Sequence, residues 1–130
     1  MRPELAKVGI INDRPDLRQA LRLALEFAGV EVRGEAGTLE EGEDLVRRLA
    51  SLGINVLFQD ANLAPTNSPG CVRGSDGARL FRLTRDIHGE RVRVVGNSVS
   101  DPIEGADIPF WSGNPVEAIE LLEDPVVNGT

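Results

Sequence analysis

Apolar residues fall along this chain in short blocks separated by polar punctuation. Ala6 to Ile11 is mostly apolar and β-branched and stops at Asn12, Asp13 and Arg14, the pattern of a buried strand running into a loop. Pro15 suits a first helical position and Asp16 complements the positive end of a helix. Leu17, Leu21, Ala24 and Ala28 then recur at helical spacing until Gly29. Val30 and Val32 predict a short second strand. Thr38-Leu39-Glu40-Glu41 forms a capping box for a second helix with Leu45, Val46 and Leu49 on its buried face and Gly53 at its end. Ile54 to Gln59 predicts a third strand ending at Asp60, followed by a loop rich in Pro, Gly, Ser and Asn that reaches Ser75. Gly77 to Ile87 predicts a third helix through Leu80, Phe81, Thr84 and Ile87, and Val92 to Val95 a fourth strand. Ile108 to Trp111 predicts a short fifth strand, and Pro115 opens a last helix carrying Val116, Ile119 and Leu122. Between Gly96 and Asp107, Pro102 and Gly105 interrupt any helical period, so the fourth helix is expected to be short or missing.

Strands alternating with helices predict a doubly wound parallel sheet, in the order 2-1-3-4-5, with helices on both faces. Sites in such α/β sheets form at the carboxyl ends of the strands. The length of 130 residues is that of one domain, 1–130, without a separate output domain. Twenty-one acidic against 14 basic side chains give a net charge of -7. That charge opposes a phosphate backbone or an anionic membrane face, so neither nucleic acid nor membrane is expected as a partner. A lone Cys71 and a lone His88 make no disulfide within the chain and no zinc site. No run approaches the roughly 18 apolar residues of a membrane span, and the expectation is a soluble cytoplasmic protein.

Asn12 and Asp13 close the first strand and Asp60 closes the third, and the expected strand order makes these two strands neighbours. Converging carboxylates repel unless a proton or cation intervenes, and hard oxygen donors with room for water suit Mg²⁺. A divalent ion would also let a carboxylate approach an anionic phosphoryl donor. The plainer alternative is that these acids are solvated loop residues.

Ile10-Ile11-Asn12-Asp13-Arg14-Pro15, Val56 through Pro65, Asp76-Gly77, Gly105-Ala106-Asp107 and Asn114-Pro115 together resemble the receiver domain of two-component response regulators. The resemblance spans nearly the whole chain and implies a flavodoxin-like fold. It implies that Asp60 accepts a phosphoryl group from a histidine kinase or phosphotransfer protein, with output through an unknown downstream protein. Mg²⁺ would be held by Asp13, Asp60 and the backbone carbonyl of Asn62. Asn12 stands where the family usually has a second acid, which leaves it a contribution through water and makes the ion weakly held. Asn114 stands at the position of the family's lysine, and an amide cannot supply that charge-assisted bond. The hydroxyl expected after the fourth strand falls on Ser98 by chemistry and on Gly96 by strict counting. The aromatic switch falls on Trp111, counting back from Pro115, or on Phe110.

These departures leave two mechanisms open, phosphorylation at Asp60 or a phosphorylation-independent pseudo-receiver that binds proteins. As an enzyme the chain would at most accept a phosphoryl group and slowly lose it. A metal-dependent phosphohydrolase would need an acid two residues after its nucleophile, where Asn62 cannot transfer a proton. A flavin carrier would need a phosphate-cradling loop where Asn12-Asp13-Arg14-Pro15 stands. Arg14, Arg18 and Arg22 form a basic edge on the first helix, while Leu23 and Phe27 widen its apolar arc. In the family that helix helps dock the phosphodonor. The Thr66 to Ser75 stretch reads either as tolerated surface variation or as a lid.

Overall fold

A computed structural model describes residues 1–63, 75–97 and 101–126. The elements are β1 (Lys7–Ile11), α1 (Pro15–Phe27), β2 (Glu31–Ala36), α2 (Leu39–Leu52), β3 (Val56–Gln59), α3 (Ser75–His88), β4 (Arg93–Gly96) and α4 (Pro115–Leu121). The four strands are parallel in the order β2-β1-β3-β4, the expected winding. Every residue of β3 and β4 is buried, as a parallel sheet covered on both faces requires. Leu57 and Val94 face a core shared with Leu45, Val46, Leu49 and Leu80 of α2 and α3. Val8, Ile10, Val56, Phe58 and Val95 face a second core with Leu21 and Leu25 of α1 and Ile119 of α4.

Local chemistry sets the element ends. Thr38 Oγ1 accepts from Glu41 N–H at 3.1 Å while Glu41 Oε1 accepts from Gly37 N–H at 2.9 Å, so the capping box works in both directions. Gly53 closes α2 in the left-handed region at φ +70°. Gly77 packs so close to the chain after β3 that an added Cβ would lie 2.6 Å from Ala61 Cα. The buried Gln59 donates to the Gly77 carbonyl at 2.6 Å, pinning the start of α3 beside the end of β3.

Three faces differ from the sequence pattern. In α1 the buried residues are Leu21 and Leu25, whereas Ala24 is exposed toward an open groove and Ala28 is exposed as the C-cap of the helix. In α3 His88 is buried and Ile87 is 39% exposed; Thr84 Oγ1 donates to the Leu80 carbonyl and His88 Nε2 lies 2.5 Å from the Val46 carbonyl. Polar groups thus enter the interior where they find backbone partners. The third difference lies at the sheet edge. The 108–111 segment runs along β4 as expected of a fifth strand but makes only one isolated bridge, Val95 to Ile108. The ladder goes no further because Trp111 rather than Phe110 donates to the Gly96 carbonyl, at 2.8 Å, while the Pro109 carbonyl accepts from Ile103 N–H at 2.9 Å. No helix forms across residues 101–107, in agreement with the expected loss of the fourth helix.

Asp107 takes over part of that edge. Its Oδ2 accepts from Val94 N–H at 2.7 Å and from Arg85 at 2.6 Å, and its Oδ1 from the buried Arg93 at 3.1 Å. A charged residue inside β4 is thereby paired rather than stranded. Asp107→Ala removes the nearer carboxylate of the buried Arg93, leaving it Glu123 at 3.8 Å and the Asp124 carbonyl at 3.0 Å, and should cost about 3 kcal/mol in urea denaturation. Asp44→Ala, which breaks an exposed pair with Arg48, should stay within about 0.5 kcal/mol.

Candidate functional site

Parallel strands of similar length bring their carboxyl ends to one level. Ile11 pairs with Gln59 and Gln59 with Gly96, so the next residues, Asn12, Asp60 and Asn97, stand side by side across β1, β3 and β4. Asp60 N–H donates to the Ile11 carbonyl at 2.8 Å and Asn97 N–H to the Gln59 carbonyl at 2.8 Å, which fixes this row. Asn12, Asp60 and Asn97 all line one cavity of about 460 Å³ between α1 and the 110–115 segment. Its apolar wall includes Leu17, Leu21 and Ala24 on one side and Phe110, Trp111 and Pro115 on the other.

Each expected residue has a definite place. Asp60 is nearly buried, and its Oδ1 accepts from Asn62 N–H at 3.3 Å in a turn after β3. Asn62 also donates through Nδ2 to Asp101 at 2.7 Å, tying the end of β3 to the chain after β4. Asp13 lies one residue beyond the row, in the β1–α1 turn, and does not line the cavity. Asn12 is 3% exposed; its Oδ1 accepts from Arg14 N–H at 2.9 Å and its carbonyl from Arg18 at 2.7 Å. Its side-chain oxygen is therefore already engaged in shaping the turn into α1. Asn114 is exposed and away from the cavity lining, with its Oδ1 accepting from Val116 N–H at 3.0 Å as the N-cap of α4. Trp111 is half-buried, its indole N–H donates to the Asn114 carbonyl at 3.0 Å, and Phe110 beside it is 41% exposed. Both aromatics line the cavity. Ser98, Cys71 and the Thr66 to Ser75 stretch up to residue 74 lie outside the described residues.

Asn97 and Asp101 escaped the sequence reading. The residue level with Asp60 is Asn97, which only the register of β4 on β3 shows, while the expected hydroxyl residue, Ser98, lies outside the described residues. Asn97 Nδ2 makes a long 3.4 Å hydrogen bond to the Trp111 carbonyl, so this amide stands between Asp60 and the aromatic segment. At Gly96 an added Cβ would sit 2.0 Å from the Pro109 carbonyl oxygen, so that position admits no side chain. Among the described residues no three acidic, histidine or cysteine side chains assemble into a metal cluster.

The receiver domain of RcsB from Salmonella enterica serovar Typhimurium, in the presence of a beryllofluoride phosphomimetic, superposes with a TM-score of 0.56 at 24% identity; the match covers 73% of this chain and 62% of that one. The fold is that of a receiver domain. A LuxR-family two-component response regulator from Aurantimonas sp. gives a TM-score of 0.64 at 20% identity over 88% of this chain and 80% of that one. The anti-anti-sigma factor PhyR from Bartonella quintana gives 0.52 at 22% identity over 69% of this chain, which spans only 31% of that protein. No protein-family model matches the sequence, and no curated protein matches it. At these identities the likeness concerns the fold.

Side-chain room at the end of β4 gives a direct test of the register. Gly96→Ser should push the Pro109 carbonyl away, destabilise the domain by roughly 1–3 kcal/mol, and shift the emission of Trp111. Asn97→Thr, one residue on, should leave urea stability within about 0.5 kcal/mol of the parent.

Proposed function

We propose that this chain is a signalling receiver module in which Asp60 accepts a phosphoryl group and protein–protein contacts carry the output. The observation behind the reading is the position of Asp60: it ends β3 in a receiver fold, level with Asn12 of β1 and at the end of a solvent-connected groove. A carboxylate oxygen of Asp60 would attack the phosphorus of a phosphohistidine on a kinase or phosphotransfer protein. The phosphorus–nitrogen bond breaks, an acyl phosphate forms, and the freed imidazole takes up a proton. The donor set of Asp13, Asp60 and the Asn62 carbonyl is of the hard-oxygen kind that suits Mg²⁺ with water completing its shell. When bound, that ion would offset charge on the transferring group. Leu23 and Phe27 on α1, 57% and 96% accessible, offer a partner an apolar contact. The net charge of -7 supports a protein partner over nucleic acid.

Coupling would run through Asn97. A phosphoryl group on Asp60 offers acceptors stronger than the Trp111 carbonyl, which Asn97 Nδ2 holds at 3.4 Å. Drawing the amide toward Asp60 releases Trp111 and, through its indole bond to Asn114, the start of α4.

A second reading is favoured by Asn114. Its side chain caps α4 instead of reaching the site, and no lysine follows Lys7 in the sequence. Without that cation the module would act as a pseudo-receiver whose state is set by its protein partners, and a phosphate would move it little.

Intact-mass measurement after incubation with acetyl phosphate separates the two. The first reading expects one added phosphoryl group in the presence of roughly millimolar Mg²⁺, none with a chelator, and none in Asp60→Asn. Absence of the adduct in the parent protein would select the pseudo-receiver. Asn114→Lys should strengthen the response of Trp111 fluorescence to phosphorylation, because an ammonium bond to the phosphoryl group is worth roughly 1.5–3 kcal/mol against about 1 for an amide.

A further inference from the structure

The outer side of α1 is explained neither by the core nor by the chemistry at Asp60. Leu21 and Leu25 face the interior, but Ala20, Leu23, Ala24 and Phe27 keep an i, i+3, i+4, i+7 spacing of their own and all four are exposed. One apolar stripe seats a helix on a core, and α1 carries a second. Ala20 and Ala24 line the groove together with Pro115, the first residue of α4, so the second stripe runs beside α4. Phe27 ends α1 about 18 Å along the axis from Pro15. The most exposed part of the stripe is thus remote from the end of the helix that stands near Asp60.

Charge narrows the class of partner. Residues 94–130 hold seven acids and no Lys or Arg, whereas residues 1–93 hold 14 acidic and 14 basic side chains, so the whole net charge of -7 arises after Arg93. On α4 the exposed Glu117 and Glu120 make no ion pair among the described residues, and no basic residue stands in the last turn. Glu123 follows, 91% accessible and 3.8 Å from Arg93, while the Met1 ammonium on the Leu122 carbonyl offsets one charge. Carboxylates near the negative end of a helix repel it and one another, and an incoming cation relieves both. The arginines of α1 do not serve, since Arg18 and Arg22 are engaged by Glu35 and Glu26, and Arg14 by Asp16. The same acids oppose a second copy of this chain and an anionic membrane. Two helices offer no strand edge, so a segment bound across them has to satisfy its own backbone, as a helix does.

We infer that α1 and α4 together dock a cationic amphipathic helix of a partner protein, its apolar side on Leu23 and Phe27 and its Lys and Arg side chains toward Glu117 and Glu120. Such docking rests on the reading of the chain as a module that signals through protein contacts. It does not require a phosphoryl group on Asp60.

Two synthetic helices of about 18 residues with the same leucine stripe, one carrying Lys and the other Glu on its polar side, form a matched pair of probes. In titrations of the whole chain followed by ¹H–¹⁵N NMR, the Leu/Lys peptide should saturably shift the amide signals of Leu23, Phe27, Glu117 and Glu120, with a dissociation constant of roughly 10–100 μM. The Leu/Glu peptide, and a Leu/Lys peptide whose order is scrambled so that no stripe forms, should each bind at least about tenfold more weakly. Phe27→Ser, at a solvent-exposed position, should weaken the Leu/Lys peptide about tenfold, whereas Ile87→Ser on α3 should not change its affinity. Glu117→Gln combined with Glu120→Gln should weaken it and reduce its dependence on salt. Equal binding of the Lys and Glu peptides, shifts confined to other surfaces, unchanged affinity in Phe27→Ser, or no saturation at about 1 mM would each overturn the assignment. So would a dimer of the parent chain that Phe27→Ser dissolves, because the stripe would then belong to a second copy. Intact-mass labelling of Asp60 in the same sample reports on phosphoryl acceptance separately: a protein that gains the phosphoryl group and ignores the peptide overturns this surface and leaves that reading standing.

Discussion

The open edge of β4 is the constraint on which the rest of this structure depends. A fourth parallel strand at the side of a sheet leaves its outward N–H and C=O groups without partners unless something is laid along them. Here the covering is made of unlike parts. The Asp107 carboxylate takes Val94 N–H, Ile108 joins the Val94 carbonyl and Gly96 N–H, and Trp111 N–H closes on the Gly96 carbonyl. Arg85 and Arg93 balance the carboxylate so that it can stand at a half-buried edge. Shortening the fifth strand to a single bridge therefore does not leave the sheet unfinished.

The way the edge is closed determines what stands at the site. Because Pro109 presses its carbonyl against Gly96, the strand can carry no side chain there, and the first polar group at the end of β4 is Asn97. Because Trp111 skips one place to reach Gly96, its carbonyl comes within reach of Asn97 and its ring becomes a wall of the groove. The alanines of α1 form the opposite wall. Asn97 and Trp111 are thus joined by a hydrogen bond beside those that seal the sheet, and Asp60 stands level with Asn97 in the neighbouring strand.

Much of this was legible in the sequence because it rests on local pattern. The apolar runs ending at Asn12 and Gln59, the Thr38 capping box, Pro15 and Pro115 each specify an element through nearest neighbours, and strand–helix alternation implies the winding. What escaped depends on partners distant in sequence. Arg93 interrupts an apolar run and reads as a blemish until Asp107 lies beside it. His88 is interior only because the Val46 carbonyl of another helix meets it, and Asn97 is level with Asp60 only through the pairing of β4 on β3. Ala24 satisfies a helical period, but no period states which side of the helix is left facing a groove.

Coupling from Asp60 to Trp111 through Asn97 is the central claim for function, and NMR with beryllofluoride as a phosphoryl analogue tests it most directly. With Mg²⁺ and beryllofluoride the parent protein should show shifts at Asp60, in the Asn97 side-chain amide and at Trp111, whereas Asn97→Ala should keep the shift at Asp60 and lose most of that at Trp111. A Trp111 response of full size in Asn97→Ala would contradict the account.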